Sequence, residues 1–119
     1  MREFYFEKLE VWKEARIFTR EIYIVSKNFP DEEKFGLTSQ IRRSAMSISA
    51  NIAEGSSRKT DKDKARFINV AYSSAIEVLN YLILSKDLEW LKKEEYIELR
   101  EKIEKITNQL NSFYKVLSQ

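Results

Sequence analysis

Residues Leu37 to Arg58, LTSQIRRSAMSISANIAEGSSR, constrain this chain more than any other stretch, because they read as a helix with almost no ordinary solvent-facing side. At about 100° per residue, Leu37, Ile41, Ala45, Ile48 and Ile52 fall on one face, and Gln40, Ser44, Ser47, Asn51 and Glu54 form a polar stripe beside it. Ser49, Ala50 and Ala53 add further small side chains, so neighbouring backbones can come close. A stripe of such short polar groups suits a buried, hydrogen-bonded seam better than a wet surface. Most of this helix is therefore expected to be buried, on more sides than four helices alone can cover.

Three more helices follow from spacing. Val11, Ala15, Phe18, Ile22, Val25 and Phe29 step 4-3-4-3-4, the seam of a packed helix that ends at Pro30 before an acidic turn. The second helix is expected from about Thr38, as N-cap, to Glu54, with Gly55 as its stop. A loop to about Thr60 leads into a third helix, capped by Thr60 or Asp61. That helix carries two stripes, Ile68-Tyr72-Ala75-Leu79-Leu82 and Val70-Ser74-Glu77-Tyr81-Leu84-Leu88, which implies two packing partners. In the fourth, Tyr96, Leu99, Ile103, Ile106, Leu110, Phe113 and Leu117 repeat every three or four residues, with Glu98-Lys102 and Glu101-Lys105 outside; its start is poorly marked. Short connections predict an all-α, antiparallel up-down four-helix bundle, one domain over 1–119. Two glycines and one proline agree with so helical a chain. No apolar run is read as membrane-spanning and the N-terminus is not a signal peptide, so the expected location is cytoplasmic.

Missing residue types remove most enzyme chemistry. With no histidine and no cysteine, Ser-His and Cys-His nucleophiles, thiolate metal sites and Glu-x-x-His di-iron sites are impossible, as is an Arg-x-x-x-x-His ribonuclease motif. There is no glycine-rich phosphate loop. Neither a metal nor a cofactor is expected, and the chain is read as no enzyme. Among the carboxylates only Glu54 and Glu77 stand out, as a candidate acid-base pair or, preferred here, as members of a structural seam. On that reading Gln40, Ser44, Ser47, Asn51 and Glu54 of the second helix meet Ser74 and Glu77 of the third, with Arg43 nearby, and hold the two helices in register.

Charge is the best functional clue. The net charge is +2, yet Arg42, Arg43, Arg58, Lys59, Lys62, Lys64 and Arg66 face only Glu54, Asp61 and Asp63 in their segment, which carries +4. Lys13, Arg16 and Arg20 add a basic strip on the first helix. Such clusters are the footprint of polyanion binding through counterion release, and all ten are candidate nucleic-acid contacts. Phe6, Ile17 and Ile24 are expected to share an outer face of the first helix, a candidate interface.

Phe29, Pro30, Glu33, Phe35, Gly36, Leu37, Gln40, Ile41, Arg42, Arg43, Ser44, Ala45, Ser47, Ile48, Asn51, Ile52, Ala53, Glu54 and Gly55 together form a pattern that resembles a known family. It is the four-helix-bundle family named after a protein encoded in intervening sequences of bacterial 23S rRNA genes, a relative of which is the accessory variability protein of diversity-generating retroelements. The likeness reaches upstream to Leu9, Val11, Trp12 and Ala15 and downstream to Ser74 and Glu77. The family usually has Gly-Ser in its third helix, where this chain has Ser73 and Ser74. The resemblance implies a homopentameric ring of bundles and a non-catalytic role in binding RNA or an RNA-DNA hybrid. The rival expectation is a scaffold or adaptor for a protein partner such as a reverse transcriptase.

Overall fold

The computed structural model describes all 119 residues. Four helices, α1 (Glu10–Ser26), α2 (Leu37–Ser56), α3 (Asp61–Asp87) and α4 (Lys93–Leu117), follow a 3₁₀ turn at Tyr5–Lys8; another 3₁₀ turn, Asp31–Glu33, joins α1 to α2. Each helix packs on its neighbours in sequence and α4 closes back onto α1, giving an up-down bundle 43 × 32 × 23 Å. The N-terminus, the α2–α3 turn and the end of α4 share one end of the bundle. Its other end is closed by Phe29 against Trp90, ring centroids 5.7 Å apart.

The inward seams of α1 and α4 bury as their spacing predicts: Val11, Ala15, Phe18 and Ile22 from one, Tyr96, Leu99, Ile103, Ile106 and Leu110 from the other. In α3 the buried row is Ala65, Ile68, Ala71, Ala75, Val78 and Leu82, while Tyr72 and Leu79 flank it half-buried. Small residues set the α1–α2 crossing. The Thr19 hydroxyl donates to the carbonyl of Ala15 (2.8 Å) on its own helix and reaches that of Ala45 (3.2 Å) on α2. Both alanines are fully buried, so no larger side chain fits between α1 and α2 at this level.

Both ends of α2 differ from the sequence reading. Thr38 is buried in the first turn rather than capping it; the Glu33 carboxylate accepts from the Leu37 N–H (3.1 Å) and Gly36 leaves room for it. Gly55 is not a stop. It lies inside α2, where a Cβ would meet the Phe67 Cβ at 3.0 Å and the Lys64 carbonyl at 3.4 Å, so its missing side chain lets α3 cross closely. Thr60 caps α3, its hydroxyl accepting from the Asp63 N–H at 3.1 Å. α3 ends in a left-handed turn at Glu89 (φ 63°), with the Trp90 N–H on the Ser85 carbonyl at 2.9 Å. Phe6 lies in the first 3₁₀ turn against Trp12, ring centroids 5.0 Å apart, and not on α1 with Ile17 and Ile24.

Two faces remain uncovered. By length and composition α3 contains a stretch apolar enough to cross a membrane, contrary to the sequence reading, yet only 28% of that stretch is buried in the subunit. Val70, Glu77, Leu84 and Leu88 of its second stripe are exposed beside Gln40, Arg43, Ala50 and Glu54 of α2. Within the subunit α3 has the two packing partners its stripes imply, α2 and α4, and only the outer edge of the second stripe is left uncovered. The other uncovered face is the outside of α1, where Ile17 and Ile24 stand between the cations Lys13, Arg16, Arg20 and Lys27 on one flank and Glu21, paired with Lys102, on the other.

Candidate functional site

The polar seam forms at its centre and not at its ends. α2 and α3 run antiparallel, which sets Ser44 opposite Glu77 and Ser47 opposite Ser74. The buried Ser44 hydroxyl donates to the Glu77 carboxylate, and Ser47 and Ser74 share a hydrogen bond of 2.8 Å. The Asn51 amide donates to the Ser47 carbonyl (2.8 Å) and hydroxyl (3.0 Å). Gln40 is exposed and makes no side-chain contact in this network. Glu54 also faces water and reaches only Arg58, at 3.8 Å. Glu54 lies opposite the start of α3, ten residues from Ser44, so it stands about 15 Å along the helix pair from Glu77. The two carboxylates therefore form no acid-base pair, and no three acidic groups are placed to hold a metal ion. Ser73 faces outward and enters no crossing within the subunit.

This arrangement makes Glu54→Ala neutral, within about 0.5 kcal/mol, because a loose surface pair contributes little. Asn51→Ala and Ser74→Ala each lower stability by about 1 kcal/mol, and the double variant by less than the sum, since both side chains meet the Ser47 hydroxyl. Urea denaturation of the wild type and the four variants measures all of this.

The ten candidate cations separate into committed and free ones. Arg42 is a structural clip: its guanidinium donates to the Ser26 hydroxyl (2.7 Å) and the Tyr23 carbonyl (3.3 Å) and lies over the Tyr23 ring. Arg43, one position on, is exposed and pairs with neither Glu54 nor Glu77. Arg58 and Arg66 both stack on Phe67, at 4.4 and 5.5 Å, and pair with Glu54 and Asp63. Lys59, Lys62 and Lys64 have no ion-pair partner and ring the same end of the bundle. Lys13, Arg16 and Arg20 also lack partners, on the outside of α1. α4 differs: Lys102 meets Glu21 and Lys105 meets Glu14 (2.9 Å), and these hydrogen bonds raise the pKa of both lysines. Their charge ties α4 to α1 rather than facing a ligand. The commitment of Arg42 was beyond sequence reasoning, because its partner Tyr23 lies on another helix.

The fold and sequence have known counterparts. A protein of the S23 ribosomal protein family from Bacteroides thetaiotaomicron VPI-5482, of unknown function, has a crystal structure that superposes with a TM-score of 0.82 at 29% identity, covering 88% of this chain and 98% of that one. No curated protein matches the chain. The model of the 23S rRNA-intervening sequence protein family matches residues 7–112, which include all four helix cores and the whole seam. By that match over nearly its full length, the chain belongs to the 23S rRNA-intervening sequence protein family.

Proposed function

We propose that this chain is a non-catalytic, self-assembling protein of the cytoplasm that binds nucleic acid, RNA or an RNA-DNA hybrid, at the α2–α3 end of each bundle. The observation that carries the reading is the cluster Lys59, Lys62 and Lys64, three cations within six residues that form no ion pair with Asp61 or Asp63 between them. Arg58 and Arg66 raise the local potential from their places on Phe67. The Phe67 ring is half-buried and already engaged by two guanidinium groups, so it is no ready platform for a base. Contacts to phosphates should therefore dominate, with little sequence preference and steep salt dependence. Assembly multiplies a small patch: in a ring of five, the number the family resemblance suggests, each copy repeats the cluster and avidity rises accordingly.

Fluorescence anisotropy with a labelled RNA at two salt concentrations tests this. Lys59→Glu with Lys62→Glu should weaken binding at least about tenfold at low salt and flatten the salt dependence, with the helical content unchanged. No complex at low salt by an intact assembly would refute it. The scaffold reading is favoured by a different observation, the exposed isoleucines between the cations of α1.

A further inference from the structure

α1 carries a second heptad seam on its outside. Lys13, Ile17, Arg20, Ile24 and Lys27 step 4-3-4-3, the same spacing as the inward row. All five are exposed, the isoleucines to 48% and 55%. None of the three cations is ion-paired, and neither is Arg16 beside them, whose guanidinium lies 5.5 Å from the centre of the Trp12 ring. At its N-terminal end the seam opens into a shallow cavity of about 670 Å³ between the first 3₁₀ turn and α1, walled by Trp12 and Ile17 and carrying the cations Lys13, Arg16 and Arg20 against Glu3 and Glu7.

The geometry points to this face as the docking site for an acidic amphipathic helix of a partner protein. Apolar side chains of that helix cover Ile17 and Ile24, and its carboxylates meet Lys13, Arg16, Arg20 and Lys27. Four unpaired cations outnumber Glu3 and Glu7 at one end of the face, and Glu21 and Glu98 on its other flank are already paired with Lys102. Charge complementarity therefore selects an acidic partner, and the heptad spacing selects a helix. A phosphate backbone offers nothing apolar to two isoleucines about 10.5 Å apart along the helix. The seam also lacks an exposed aromatic ring on which a base could stack. Contact with the same seam of a second copy would set cation against cation. The inference is independent of nucleic-acid binding at the α2–α3 end, because different residues carry each.

The test uses a labelled synthetic helix with Leu at heptad positions a and d and Glu at e and g, whose own charges keep it from pairing with itself. The full-length protein should bind this peptide. A control peptide with Ser for Leu, equally acidic, should bind at least about tenfold more weakly, as should the Ile17→Ser, Ile24→Ser variant with the Leu peptide. That variant should keep its assembly mass and its affinity for duplex RNA. Absence of peptide binding, equal binding of the two peptides, or equal binding by variant and wild type would overturn the proposal. A fall in the variant's assembly mass would overturn it too, by showing that a second copy occupies the face.

Discussion

Ala45→Leu should lower the stability of the bundle by about 3 kcal/mol, and its melting temperature by about 10 °C or more. Ala45 is fully buried where α1 lies so close that the Thr19 hydroxyl reaches its carbonyl. Three added carbons have no void to enter, so the side chain must leave its preferred rotamer or α1 must move outward. Outward movement breaks the Thr19 contact and loosens Phe18 and Ile22, which pack on the same face of α1 and are fully buried. Thermal and urea unfolding of the variant measure the loss. A melting temperature within a degree of wild type would mean that small residues on α2 are not what lets the two helices approach.

The second large effect concerns assembly. Val70→Glu with Leu84→Glu places two carboxylates on the exposed stripe of α3, and both residues are more than two-fifths exposed in the subunit. Folding of the bundle should survive, because no buried contact is lost. If that stripe is the face through which copies meet, each carboxylate is buried without a partner there, at several kcal/mol. The dissociation constant of the assembly should then rise at least about a hundredfold, since each 1.4 kcal/mol is a factor of ten. Sedimentation velocity over a dilution series reads the shift. Unchanged association of the double variant would move the interface elsewhere.

The parts of the fold legible in the sequence are those that a single helix determines. The rows Val11-Ala15-Phe18-Ile22 and Leu99-Ile103-Ile106-Leu110 are unbroken heptads, and their periodicity alone orients them inward. Helix ends were less legible, because their signals are contacts. Gly55 looks like a stop in sequence and serves a crossing in the fold. Glu89 takes the left-handed turn where a glycine is usual, so nothing marked the end of α3. The centre of the seam, Ser44-Glu77 and Ser47-Ser74, could be read from antiparallel register once both stripes were seen. Its ends could not: Glu54 shares the stripe by angle, yet stands beside the exposed start of α3. Charge was legible as a count and illegible as availability. Arg42 and Lys59 look alike in the chain, and only packing shows that one is clamped on Tyr23 while the other is free.

The polar and small-residue side of α2, with the apolar outer stripe of α3, reads as a surface completed by other copies of the chain. Multi-angle light scattering on the wild-type protein at micromolar concentration tests that claim most directly. The account predicts a single species near five times the 14.2 kDa subunit mass; a species of 14.2 kDa at that concentration would contradict it.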